Sequence, residues 1–343
     1  PVTVDVLQAA SYLSQPDAPF IQLPSLVENP QGTVYSGPGS RAMSDILRGQ
    51  HDPVLPTKLV LAPGQHQMLL NLPIPVRELT PPLNGRSTFM RLRSNGPVYA
   101  ASLSLFARLN SDGSERAPTL EEWQTILQTG GLAEMRDRVP TPLDQKTGAV
   151  IYSRVAGVGK GSQWFATLTD RPGFPHLTIP KPNQAFSYGL STLHRGTLGT
   201  GQVQSSPLLV RYPDTAYEAH GNYGIQYNLT LPLRNPTNQL QSVALAIQTP
   251  IKQDQIQGGL RFLEPPSRSV FFRGTVRVRY TDDQKLPQTR YFHLVQRRGE
   301  QGEPLVVLNM PKGDRRLVQV DFLYPPDATP PQVLTVKTLP VPK

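Results

Sequence analysis

No cysteine occurs among the 343 residues, which excludes a disulfide scaffold, a thiolate metal site and a cysteine nucleophile. Nor does any stretch approach the ~20 consecutive apolar residues that a membrane-spanning helix requires. The histidines, His51, His66, His176, His194, His220 and His293, show neither HxH nor HExxH spacing, so no linear metal motif is present. No Gly-x-Ser-x-Gly elbow offers a hydrolase nucleophile. In Gly157-Val158-Gly159-Lys160-Gly161-Ser162 the lysine is followed by Gly161, where a phosphate loop needs Ser or Thr, and Arg154 replaces the leading glycine. Gly196-Thr197-Leu198-Gly199-Thr200-Gly201 is followed by no helical pattern, as a dinucleotide fingerprint would be. The carboxylate pairs Glu121-Glu122 and Asp282-Asp283 fall in a helix cap and a loop. These absences lead to the expectation of a non-enzyme with no metal and no cofactor.

What is abundant is proline, 37 residues, about twice the usual share. The prolines separate short apolar runs, the pattern of many short strands joined by turns, because proline ends helices and is confined to strand edges. The fold class expected is mainly β: two β-sandwich-like domains, residues 1–110 and 215–343, with a mixed middle segment, 111–214, containing one clear short helix. In the first stretch Val2, Val4 and Val6 alternate. A short helix follows, with Ser40 as N-cap, Met43, Ile46 and Leu47 inward and Gly49 past its end. Strands are expected at Lys58–Leu61, Met68–Leu72, Thr88–Arg93 and Val98–Phe106. In the middle, Thr119-Leu120-Glu121-Glu122 is a capping box ahead of Trp123, Ile126 and Leu127 at helical spacing, with Gly130 or Gly131 as a left-handed stop. Strands at Ala149–Val155, Trp164–Thr169 and Phe186–Leu190 follow. A repeated strand and Pro/Gly-turn scheme links Leu61-Ala62-Pro63-Gly64 with Met310-Pro311-Lys312-Gly313 and suggests two copies. Because Pro1 opens directly onto a strand pattern, an upstream native segment is expected.

Charge is uneven. The net +9 divides into +2 over residues 1–110, +1 over 111–255 and +6 over 256–343. A basic excess confined to one region points to an anionic neighbour. The hairpin Phe271–Arg298 concentrates it. With Arg279 placed opposite Tyr291, one face collects Phe272, Val276, Val278, Tyr280, Phe292 and Leu294. The other collects Arg273, Thr275, Arg277, Arg279, Tyr291, His293 and Arg297. In that register Arg277 stands opposite His293 and Arg273 opposite Arg297, with Thr281–Thr289 as the loop. Arg273, Arg277, Arg279, Tyr291, His293 and Arg297 are therefore the candidate anion- or glycan-binding set, arginine suiting carboxylate, phosphate or sulfate. The plain alternative is a solvated face whose arginines pair with Asp282, Asp283 or Glu300. Trp164, Tyr188, His194, Arg195, Tyr212, Tyr217, His220 and Tyr223 offer aromatic and polar groups of the kind that bind sugars, or equally the packing under long loops.

Four stretches carry a resemblance: Pro73–Pro82, Ala117–Trp123, Tyr188–Gly196 and Phe271–Val278. They resemble an uncharacterised cyanobacterial family of exported proteins, catalogued only as a domain of unknown function. The resemblance implies an extracytoplasmic location (periplasm, outer-membrane-associated or cell surface) and brings no activity with it. The resulting expectation is a structural or binding protein of the cell envelope, working within an assembly. Its partners would be other envelope proteins or an anionic glycan, with homo-oligomerisation compatible and nucleic acid not expected. Two alternatives stand beside it: a carbohydrate-binding module for peptidoglycan or anionic exopolysaccharide, and an enzyme whose site assembles only in three dimensions.

Overall fold

A computed structural model describes residues 1–131, 138–145 and 147–340. In chain order its elements begin with β1 (Val2–Leu13), β2 (Leu26–Glu28), α1 (Pro38–Leu47), β3 (Lys58–Leu61), β4 (Arg86–Ser94), β5 (Arg108–Leu109), β6 (Glu115–Arg116) and α2 (Leu120–Thr129). There follow β7 (Gly157–Gly159), β8 (Gln163–Thr167), β9 (Leu177–Thr178), β10 (Ala185–Leu190), β11 (Ser206–Arg211) and β12 (Glu218–Ala219). The last run is β13 (Gln226–Arg234), β14 (Gln241–Gln248), β15 (Val270–Thr281), β16 (Pro287–Arg297), β17 (Val306–Met310), β18 (Arg315–Leu323) and β19 (Gln332–Thr338). The chain is mainly β.

Period-two alternation builds the main core. Tyr227, Leu229, Leu231 and Leu233 of β13 point to one side, as do Val318, Val320 and Phe322 of β18 and Phe272, Val276 and Val278 of β15. These strands lie in a seven-stranded sheet of order β2-β16-β15-β18-β13-β8, with β9 also on β13. A four-stranded sheet, β10-β19-β14-β17, turns Leu190, Val243, Leu245, Ile247, Leu308 and Val336 towards it. Two sheets with interdigitating apolar faces form a sandwich. At its centre the rings of Tyr227 and Phe322 stack with centroids 5.1 Å apart, and Phe272 meets Phe322 edge-on. Arg316 is fully buried at one end, yet every direction is satisfied: Nε reaches Asp314 at 2.7 Å, and Nη1 donates to the carbonyls of Thr281 and Asp282. A buried guanidinium is tolerated only when so completely paired.

Sheet pairing crosses both expected boundaries. β8 and β9 run parallel to β13, β10 pairs with β19, and β2 adds to the far edge at β16. Both edges of the large sheet therefore come from outside residues 215–343. Within residues 1–110, β1, β3 and β4 form a three-stranded sheet of order β3-β1-β4, while β2 joins the large sheet. A bulge between Val6 and Gln8 moves the inward parity from Val4 and Val6 to Ala9 and Leu13, so one face stays apolar across the irregularity. That face meets Leu55, Leu69 and Leu72. The opposite face, with Ala10, Tyr12 and Phe89, packs on Ala42, Ile46 and Leu47 of α1.

Helix α1 starts two residues before the expected cap. Gly37 is the N-cap at φ 88° and Pro38 opens the first turn, leaving Ser40 inside the helix for another task. Gly39 lets this turn approach Pro326, whose Cγ would lie 2.4 Å from an added Cβ. The capping box of α2 forms as expected between Thr119 and Glu122, but Gly130 is extended at φ −74° rather than left-handed. The expected strands at Met68–Leu72, Val98–Phe106 and Ala149–Val155 do not form; Leu69 and Leu72 serve as a lid on β1 and β4 without joining a ladder.

The sandwich core sets stability. Phe322→Ala should cost roughly 3–5 kcal/mol, since it removes a fully buried ring and leaves a cavity between two others. Denaturant unfolding monitored by tryptophan fluorescence checks this; a loss under 1 kcal/mol would contradict the central place given to this cluster.

Candidate functional site

The hairpin of β15 and β16 separates its residues into the two expected faces, but two residues out of the expected register. Arg277 stands opposite Tyr291, Arg279 opposite Thr289, Thr275 opposite His293, Arg273 opposite Val295 and Arg297 opposite Val270. A slip of two preserves face parity, so alternation alone does not distinguish these registers. The turn does. The Asp282 carboxylate accepts from the N–H groups of Gln284 and Leu286, both at 2.9 Å, closing a loop tight enough for Thr281 to pair with Pro287. Asp282 and Glu300 therefore serve turns, Glu300 accepting from the Arg297 N–H, while Asp283 accepts from the Asn309 N–H and pairs with Arg316.

The partners of the arginines lie elsewhere. Asp321, on β18, is only 2 % exposed, and its Oδ2 accepts from Arg277 Nε at 3.0 Å and from Arg279 Nη2 at 2.9 Å. Arg277 also donates to the carbonyl of Leu47 at the C-terminal end of α1, where the helix dipole favours a cation. Arg273 approaches Asp327 at 3.7 Å and lies over the ring of Phe20. Tyr291 is covered by the Arg48 guanidinium, 3.9 Å from its ring centre. His293 is fully buried, with Nε2 2.9 Å from the Ser40 hydroxyl. Half of the candidate face is thus an internal joint under α1. Arg297 is exposed at the strand end.

The other half stays open, towards β8. Cross-strand register lays two rows of outward side chains over four strands. One row is Phe165, Asn228, Asp321 and Arg277; the other is Thr167, Thr230, Gln319 and Arg279. All of them but Arg277 line a groove of about 320 Å³. Phe165 is 72 % exposed and Arg279 side-chain exposure is 41 %. The Asn228 amide is held by its neighbours: Gln226 Nε2 donates to its Oδ1 at 2.6 Å, while Arg91 holds Gln226 Oε1. One carboxylate faces two guanidinium groups, and Arg91, its pKa lowered by burial and then by Arg277, adds a third. The groove is cationic at one end, aromatic at the other and amide-lined between. Nothing in the linear sequence marks Phe165, Gln319 or Asp321, and Asn228 stands out only as the start of an Asn-Leu-Thr sequon, because their alignment exists only in the pairing of four non-consecutive strands.

A second concavity, of about 270 Å³, gathers part of the aromatic and polar set from the middle segment: His194, Arg195, Tyr217 and His220, joined by Tyr152, Glu218 and Asp254. His194 Nε2 lies 3.0 Å from Glu218, and His220 Nε2 bonds the Ser153 carbonyl at 2.9 Å. Tyr188 instead accepts a hydrogen bond from the indole of Trp164 at 3.1 Å. No group of three His, Cys, Asp or Glu side chains arranged to hold a metal occurs among the described residues.

Burial, and then the nearby Arg273, push His293 down to about 4 from its ordinary 6.5. Its Nδ1 has no hydrogen-bond partner among the described residues, so the neutral ring is the form that fits. Below pH 6.5 the unfolded chain binds a proton that the native state refuses. The contribution of neutral His293 is complete above 6.5 and is lost as pH falls towards 4, by about 3 kcal/mol. Wild type should lose about that much more stability between pH 7.5 and 4 than His293→Gln does, measured by urea unfolding; parallel pH profiles would contradict the assignment.

No curated protein and no solved structure matches this chain. A family model does, over residues 1–338, and nearly the whole fold described above lies within that span. The chain belongs to the family described as Protein of unknown function (DUF3370).

Proposed function

We propose that this chain is a non-enzymatic binding protein of the cell envelope that holds an acidic saccharide in the groove between Phe165 and Arg279. The observation that carries the reading is the register of the groove: an exposed aromatic ring, a fixed amide and an incompletely neutralised arginine stand in line across four strands. At ~4.8 Å per strand the ends are ~14 Å apart, the reach of a short oligosaccharide. Phe165 supplies the apolar platform for a sugar ring. Asn228, Gln319 and Thr230 supply hydrogen bonds to hydroxyls, and Arg279 is the partner for a carboxylate or sulfate. The place outside the cytoplasm rests on the family resemblance of the sequence, and the assembly on the same footing.

An enzyme is the second reading, favoured by the His194–Glu218 pair in the other concavity, an arrangement suited to proton transfer. There Arg195 faces two carboxylates, Glu218 and Asp254, so that concavity suits an acidic saccharide less than the groove does.

The two readings separate in one experiment. Calorimetric titration with an oligogalacturonate should give binding that weakens with added salt, while the corresponding neutral oligosaccharide binds less. Arg279→Gln and Phe165→Ala should each weaken it about tenfold, with the unfolding midpoint unchanged in Phe165→Ala and lowered in Arg279→Gln, which takes one partner from buried Asp321. Unaltered affinity in both variants would remove the groove from the account, and turnover abolished by His194→Ala would favour the enzyme.

A further inference from the structure

Residues Val98–Phe106, Val-Tyr-Ala-Ala-Ser-Leu-Ser-Leu-Phe, have a strand's alternation and contain no charge, glycine or proline. They follow β4 without forming a strand. Among the described residues, none of their backbone N–H or C=O groups has a hydrogen-bond partner. Leu103 and Leu105 are half-buried, Ser102 and Ser104 exposed, so one face already rests on the protein. Tyr99 is fully exposed and Phe106 is 95 % exposed. A segment whose local pattern asks for a ladder, and whose fold withholds one, is where a partner is expected.

We propose that Val98–Phe106 pairs antiparallel with the same segment of a second copy, making a two-fold dimer through a two-stranded ribbon. Charge selects this occupant. The chain carries +9, and the outer strands of its N-terminal sheet bring Lys58, Arg91 and Arg93 to their own edges. The nine uncharged residues are where two such chains meet without repulsion. Antiparallel pairing of identical segments is closed by a two-fold axis, so association stops at two. With Ser102 at the two-fold axis it lays Tyr99 of each copy opposite Leu105 of the other and Phe106 opposite Val98, so each exposed ring gains an apolar cross-strand neighbour. A ribbon of this size buries less than a standard interface, which places the affinity in the micromolar range. The proposal is independent of what the groove binds.

Sedimentation velocity over the micromolar range tests it on the full chain. Wild type should shift from monomer to dimer. Ser102→Pro, which removes a donor and bends the ribbon, should weaken association about tenfold or more, with the far-UV spectrum retained. Since the native chain has no cysteine, Ser102→Cys should give a disulfide-linked dimer on mild oxidation, while Gln301→Cys, also exposed, should not. A wild type that stays monomeric, a dimer indifferent to Ser102→Pro, or equal cross-linking at both cysteines would each overturn the proposal.

Discussion

Asp321 sits between two arginines on the outer face of the large sheet, nearly removed from water. A lone buried carboxylate costs several kcal/mol, and so do unpaired guanidinium groups beside it. Each group tolerates its position because of the others. Arg277 carries the arrangement on to the last carbonyl of α1, so the same cluster that neutralises the sheet also fixes the helix. Once α1 is fixed, the N-terminal sheet has a layer to pack on, through Ala42, Ile46 and Leu47. The joint between the two halves of the chain hangs on this triad.

The triad also divides the basic face into a closed and an open part. Towards β16, Arg273, His293 and Tyr291 lie under Phe20, Ser40 and Arg48. Towards β8, Arg279 borders the groove and is only partly compensated, because it shares its carboxylate with Arg277. One residue thus serves structure on one side and leaves charge available on the other. The apolar inner face keeps the four strands in register, and that register holds Phe165 in line with Asn228 and Asp321.

Much of this was legible in the sequence wherever the cause was local. The two faces of β15 and β16 follow from alternation alone. The capping box at Thr119 and the terminal glycine at Gly49 are likewise local chemistry. Pairing distant in sequence was not legible. β2 and β9 are three and two residues long, too short for any periodicity, yet they complete the edges of the large sheet. The hairpin register escaped because a two-residue shift leaves both faces intact, and only the Asp282 side chain in the turn decides it. Ser40 looks like a helix cap, but Pro38 starts the helix earlier and frees that hydroxyl for His293. The groove residues are unremarkable singly and acquire meaning from four strands drawn from residues 163–321.

The central claim is that Phe165 and Arg279 mark the two ends of one saccharide-binding groove. A crystal structure of the protein with a bound trigalacturonate tests it most directly. The account predicts a sugar ring stacked on Phe165, a hydroxyl bonded to Asn228 and a carboxylate on Arg279. A saccharide seated instead beside His194 and Glu218, with the groove open to solvent, would contradict it.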